Sequence, residues 1–234
     1  MKPILFVVSE KGYTWDEVIL PYLEFRRQGR EMVFATPTGA RPAPDPLSIK
    51  TRPIMNLMGY GTSHAVAPDT EKGKELQARL DQPVALSGAS AEDFDGIYIA
   101  GGHGSLFDLN RNTDLHGLIL DFDRETKPIG TLCHASSTLA YVSRGGESFI
   151  ADKRVTGFPT LLEHFLLTFR MVHQRFLPLP IWTGRELDGK SRRRSLWLRL
   201  WEVLNPWTTV KDGHITTGVG PKVGGQVARR MFDA

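Results

Sequence analysis

The sequence predicts an α/β fold, one domain whose mostly parallel central sheet alternates with helices. Three observations carry that expectation. First, short continuous apolar runs such as PILFVV (3–8), IYIA (97–100) and PIGTL (128–132) lack the polar alternation of a half-exposed strand, so they read as strands buried on both faces. Second, segments between them place apolar residues at helical spacing, as Leu115, Leu118, Ile119 and Phe122 do. Third, each run stops abruptly at small or polar residues, and open α/β sheets carry their active groups at such carboxyl ends.

Taken in order, PILFVV is the first strand, and the Ser9 to Gly12 turn leads to YTWDEVILPYLEFRRQG. Pro21 is tolerable only in a first helical turn, so a helix is expected from about Ile19 to before Gly29, with Glu17 at or just before its start. EMVFAT (31–36) is the second strand and completes a β-α-β unit, for which a right-handed crossover is expected. Residues 37–75, dense in proline and glycine, are too long for a plain connection and read as an inserted, ordered flap that buries Ile54, Met55, Leu57, Met58 and Tyr60. His64 within it is read as a surface residue. A helical turn near 75–80 and an extended piece at 83–86 precede the third strand. Asn112 or Thr113 caps the next helix, PIGTL follows, and a helix runs from His134 to about Ser143. A short strand is expected at 154–156, then a helical or irregular stretch beyond Pro159. TTVKDGHITTG reads as a hairpin turning at Asp212-Gly213, and PKVGGQVARRMF as a terminal helix.

Composition excludes several classes. The chain has 234 residues, a net charge of +3 and 41% hydrophobic residues, as an ordinary globular protein does. Much of the basic excess gathers at 190–199, so nucleic-acid binding would rest on that patch alone, and no nucleic-acid partner is expected. No apolar run reaches the ~18 residues that span a bilayer. One cysteine allows no internal disulfide, and the N-terminus lacks a signal-peptide pattern, so a cytoplasmic location is expected. The segment 178–207 is variable in character: Leu196, Trp197, Leu200 and Trp201 alternate with Arg193, Arg194 and Arg199. It reads as a peripheral helix whose apolar stripe packs on the domain or a second subunit while its arginines stay in water; a basic helix on a membrane surface is the alternative. The tryptophans at 182, 197, 201 and 207 point to a homodimer interface.

The chemistry converges on the stretch 95–141. Cys133, the sole cysteine, lies between a strand and a helix start, where unpaired N–H groups favour thiolate over thiol. The N–H of His134 and an N–H of the Gly101-Gly102 turn on the adjacent strand would together form an oxyanion hole, in which losing one donor costs ~3 kcal/mol of transition-state stabilisation. Glu17 adds a carboxylate at another strand end.

This arrangement resembles the ThiJ/PfpI superfamily, and within it the branch of chaperone-like, glutathione-independent glyoxalases. The resemblance rests on GGHGSLFDL (101–109), TLCHAS (131–136), Glu17 after the first strand, VTGF (155–158) and DGHITTGVGP (212–221), in that order along nearly the whole chain. It implies one domain over 1–234 with a flavodoxin-like three-layer sandwich. It further implies Cys133 as nucleophile, His134 as its base, Glu17 as a second acid/base, and Gly102 with His134 as oxyanion donors. Gly101, His103 and Asp108 are carried over as substrate-binding wall residues, although Asp108 could equally cap a turn. Some members of the branch have an aspartate directly after F-P, where Thr160 stands, and others a glutamate five residues after the phenylalanine, so Glu163 is assigned to orient His134. The chain departs from the branch in carrying the apolar and basic LLEHFLLTFRMVHQRF (161–176) where an acidic run is common. The implied activity is conversion of a small reactive carbonyl, methylglyoxal to lactate, with no metal and no organic cofactor. A holdase chaperone, a redox sensor, or an amidase or isonitrile hydratase on the same fold are the alternatives.

Overall fold

The computed structural model describes residues 1–49 and 64–233. The first β-α-β unit is β1 (Ile4–Val7), α1 (Trp15–Arg27) and β2 (Met32–Thr36). Then come α2 (Glu71–Arg79), β3 (Val84–Ala85), β4 (Gly96–Ile99), α3 (Ser105–Asp108), α4 (Thr113–Arg124), β5 (Ile129–Leu132) and α5 (Thr138–Tyr141). A two-residue-per-strand hairpin, β6 (Ser143–Arg144) and β7 (Glu147–Ser148), leads to α6 (Thr160–Thr168), α7 (Thr183–Lys190) and α8 (Leu196–Leu204). The chain closes with β8 (Thr209–Asp212), β9 (Ile215–Gly218) and α9 (Gly224–Arg230).

The seven-stranded sheet has the order β3-β2-β1-β4-β5-β9-β8, and every neighbouring pair is parallel except β8 with β9. β1 lies centrally, Ile4 opposite Met32 on one side and Gly96 on the other, and all four of its residues are buried. Successive side chains of a strand point to opposite faces. Accordingly Ile4, Phe6 and Val8 join the layer containing Phe25 of α1 and Val227 of α9, whereas Leu5 and Val7 join Leu115, Ile119 and Phe122 of α4. The uninterrupted apolar strands are what two covered faces require, and the result is the expected three-layer α/β architecture.

Several expectations need correction. α1 begins at Trp15, four residues before Ile19, with Pro21 in its interior. Pro21 lacks the N–H that would bond the carbonyl of Glu17 one turn back, and the Tyr98 hydroxyl on β4 donates to that carbonyl instead, at 3.1 Å. The buried acceptor is thereby satisfied and the helix continues. Residues 154–156 form no strand: side chains hold this backbone, with the Arg154 N–H on Asp212, the Thr156 N–H on the Thr217 hydroxyl and the Val155 carbonyl on Arg194. The helix after β5 is a tight 3-10 turn, Cys133–Ser137, continued by the single turn of α5. The extended piece at 83–86 is β3, and the Asn112 side chain caps α4 by accepting the Leu115 N–H at 2.8 Å. Of the expected flap, residues 50–63, including Ile54, Met55, Leu57, Met58 and Tyr60, lie outside the described residues. His64 is exposed.

At α8 the departure lies in Arg194, expected to stay in water. The helix's stripe of Leu196, Trp197, Leu200, Trp201 and Leu204 is exposed, with Trp197 at 81% and Leu204 at 79%, while Arg194 and Glu202 are buried at 4% and 1% exposure. Both Arg194 Nη atoms reach the Glu202 carboxylate at 2.7 and 2.8 Å, its Nε reaches Asp188 at 2.7 Å, and the Thr156 hydroxyl also donates to Glu202. The helix meets the domain through this charged cluster, and no described helix is long and apolar enough to cross a membrane.

Candidate active site

β1, β4 and β5 are adjacent and parallel, so their carboxyl ends bring Glu17, Gly101-Gly102 and Cys133-His134 together. Cys133 adopts φ = 56°, a left-handed conformation that non-glycine residues seldom take and that the surroundings must hold in place. The Phe158 N–H donates to the Cys133 carbonyl at 3.3 Å, Ser136 bonds Thr131, and Ser137 and Thr138 both donate to Asn110 Oδ1. A Cβ at Gly157 would sit 3.1 Å from the Cys133 carbonyl oxygen and 2.8 Å from Leu187, which is why glycine precedes Phe158.

The Cys133 Sγ lies 3.3 Å from Nδ1 of His134, and Nε2 of His134 lies 2.9 Å from Oε1 of Glu163. All three residues are buried. The structure thus joins Cys133, His134 and Glu163 in one hydrogen-bonded line, Glu163 being carried in on the first turn of α6. Phe158 and His103 bracket the His134 ring, at centroid separations of 4.6 and 4.4 Å. Burial, followed by the charge of His103, holds His134 below the ordinary histidine range in spite of Glu163, so the imidazole is neutral and able to accept a proton.

Glu17 is fully buried and interacts with Cys133. Burial pushes its carboxyl up to about 8; the Cys133 thiol, the Thr14 hydroxyl and the Gly101 backbone approach it and offset part of that shift. None of them meets full hydrogen-bond geometry to either carboxyl oxygen. Burial likewise pushes the Cys133 thiol up, and an ionised Glu17 pushes it further. The two acids are therefore coupled, and Glu17 holds a proton at neutral pH beside the atom that must carry charge. Gly101 is required by this contact, since a Cβ there would lie 2.2 Å from Glu17 Oε2.

The His134 N–H faces the sulfur. Gly102, at φ = 111°, comes so close to the Tyr13-Thr14 backbone that a Cβ would meet Thr14 N at 2.5 Å, and its own N–H engages no backbone carbonyl among the described residues. His103 lines the pocket. Asp108 does not line it; its Oδ2 accepts the N–H groups of Glu10 and Lys11 at 2.8 and 3.1 Å and fixes the loop after β1. Sequence reasoning missed Thr14, Asp45, Leu47, Ser48, Phe158, Leu166, Met171 and Pro221, which complete the lining. At about 70 Å³ the pocket suits a substrate of a few heavy atoms rather than a drug-sized ligand.

A family model described as ThiJ/PfpI family-like matches residues 8–170. The chain belongs to that family. Among curated proteins, this ThiJ/PfpI-like chain is 25% identical over 232 residues to glyoxalase 3 of Candida albicans, covering 93% of this chain and 87% of that protein. It is 24% identical over 230 residues to a glutathione-independent glyoxalase of Saccharomyces cerevisiae, covering 97% and 90%. The crystal structure of glyoxalase III from Candida albicans matches it with a TM-score of 0.71 at 20% identity, over 98% of this chain and 95% of that one. The 24 kDa rapid encystment protein of Francisella tularensis matches with a TM-score of 0.73 at 22% identity, over 99% and 97%. These structural likenesses establish the ThiJ/PfpI-like fold. Within it, His103, His134 and Glu163 each offer a ligand atom within 4.8 Å of the others, and the bond between His134 and Glu163 already engages two of the three.

Proposed function

We propose that the chain is a cysteine-dependent glyoxalase that converts a 2-oxoaldehyde such as methylglyoxal into a 2-hydroxy acid. The observation that carries this reading is the line Sγ–His134–Glu163 with a protonated Glu17 beside the sulfur; the glyoxalase names of the relatives support it. Neutral His134 takes the thiol proton, and Glu163 fixes its tautomer and balances the imidazolium that forms. The thiolate adds to the aldehyde carbon, and the oxygen of the hemithioacetal is received by the N–H groups of Gly102 and His134. That oxygen takes a proton from imidazolium His134 or from neutral Glu17, and the base so freed then moves the proton from the former aldehyde carbon to its neighbour, giving a thioester of the 2-hydroxy acid. Water cleaves that ester, returning the thiol and releasing lactate. Every step uses the thiol and the acid/base groups already in the pocket.

The test is a steady-state assay of wild type and Cys133→Ala on methylglyoxal, with lactate followed by NMR. Wild type is expected to form lactate and the variant none; lactate formation by Cys133→Ala would sink the mechanism. A second reading concerns assembly: the exposed Leu and Trp face of α8 supports pairing with a second copy of the chain, which sedimentation of wild type and Trp197→Ser would test.

A further inference from the structure

The pocket holds a second histidine whose chemistry the mechanism above does not use. His103 follows the Gly101-Gly102 turn, lines the same pocket as Cys133, and packs its ring against His134 at a tilt and against Phe176 in a stack, with ring centroids 4.4 and 5.5 Å away. Its Nδ1 lies 3.8 Å from Oδ2 of Asp45. Asp45 is itself rigidly placed: its Oδ1 accepts the Leu47 N–H at 2.9 Å, its N–H donates to the Tyr13 carbonyl at 2.8 Å, and its carbonyl receives the Ser48 N–H at 2.9 Å. One carboxyl oxygen is thereby left for His103. Burial alone would raise the Asp45 carboxyl, but His103 and the Leu47 N–H outweigh it and hold the group below the ordinary value, so a carboxylate faces the ring. The far nitrogen of the ring, Nε2, is buried and has no hydrogen-bond partner among the described residues. A buried donor left unmade is costly, and a substrate oxygen entering this pocket would satisfy it.

A 2-oxoaldehyde has two adjacent carbonyl oxygens. The N–H groups near Cys133 serve the one on the carbon that sulfur attacks, while the other gains negative charge when the proton leaves that carbon. We propose that His103, oriented by Asp45, is a second acid/base of the site, giving its Nε2 proton to the second carbonyl oxygen as the enediol forms. This rests on the glyoxalase reading and deepens it. The step balances. The base removes the C1 proton, the C1–H electron pair becomes the C1=C2 bond, and the C2=O π pair takes the proton from His103. When the base returns its proton to C2, the C1 hydroxyl loses its own to His103 as the thioester carbonyl forms, and Nε2 carries its proton again. His103 contacts substrate and is a catalytic residue; Asp45 acts through it and is a positioning residue.

The experiment measures kcat and KM on methylglyoxal for wild type, Cys133→Ala, His103→Ala, His103→Gln and Asp45→Asn, together with the rate at which iodoacetamide alkylates Cys133. His103→Ala is expected to lower kcat roughly 10²-fold or more, the usual scale for a lost acid/base, with alkylation close to wild type and with turnover partly restored by added imidazole. His103→Gln keeps a donor without a transferable proton and should recover KM but not kcat. Asp45→Asn should lower kcat with KM and alkylation held. If Cys133→Ala is dead yet His103→Ala keeps kcat within about twofold of wild type, the proposal is overturned while the glyoxalase reading stands. It is equally overturned if His103→Ala slows alkylation as much as turnover and imidazole restores nothing, since the ring is then structural. If wild type forms no lactate, the glyoxalase reading fails and this proposal falls with it.

Discussion

At the carboxyl edge of the sheet, charge-bearing groups are hidden: Glu17, Asp45, His103, His134 and Glu163 are all buried around one thiol. On α8 the opposite holds, for Leu196, Trp197, Leu200, Trp201 and Leu204 face outward while Arg194 and Glu202 are enclosed. Hydrophobicity alone sorts neither region. Pairing does: Glu163 is held by His134, Asp45 by His103 and Leu47, Glu202 by Arg194 and Thr156. The exception is Glu17, whose oxygens have no well-formed partner among the described residues and which stays neutral instead. Buried charges that are matched hold their partners in place, at the site as on α8, whereas the unmatched acid keeps its proton beside the thiol.

Four substitutions would break or sharpen that contrast. The largest effect is expected at Glu163→Gln, which keeps shape but removes the charge that fixes the His134 tautomer; kcat should fall by roughly 10²- to 10⁴-fold with the melting temperature little changed. Arg194→Met comes next. It strands the Glu202 carboxylate and should cost about 3–5 kcal/mol in urea unfolding, with most of it regained in the Arg194→Met/Glu202→Leu double variant. An unchanged midpoint in the single variant would show that this cluster anchors nothing.

Third is Glu17→Gln, whose effect depends on pH. The folded-state value of Glu17, about 8, lies above its ordinary 4.5. Its neutral form therefore supports the fold fully below 4.5, and that support is lost as pH rises to about 8. The variant should melt close to wild type at about pH 5 and above it at about pH 9. A constant difference across that range would mean the carboxyl does not titrate in the window. The smallest effect is expected from Trp197→Ser, which should leave chemical stability within about 0.5 kcal/mol because the ring is exposed. A larger loss that vanishes on dilution would instead reveal the ring at a contact between copies.

Much of the sheet was legible because strands buried on both faces leave continuous apolar runs. The site was legible where it follows those runs directly: Cys133-His134 after β5, Gly101-Gly102 after β4, Glu17 after β1. Asp45 was not, because it reaches the pocket from an irregular Pro-flanked segment where no periodicity points inward; its placement between Pro44 and Pro46, where the chain turns and an aspartate can bond its own backbone, is the one signal that could have drawn attention to it. The orientation of α8 was not legible either. An amphipathic pattern says which residues share a face, but the Arg194–Glu202 pair that decides which face meets the domain depends on Thr156 and Asp188, far apart in sequence. The start of α1 was misplaced because the remedy for Pro21 lies in another element.

That remedy has a further consequence. The missing N–H of Pro21 turns the Glu17 carbonyl into a socket, and the Tyr98 hydroxyl is the plug that ties α1 to β4. The residue thus tethered by its main chain is the same one whose side chain faces the thiol, so the gap in the helix ladder works as a locating pin for the acid. Pro21→Ala would return the helix its own bond and release Tyr98. The helix would gain regularity, and Glu17 would lose the fixed point from which its carboxyl is aimed at Cys133.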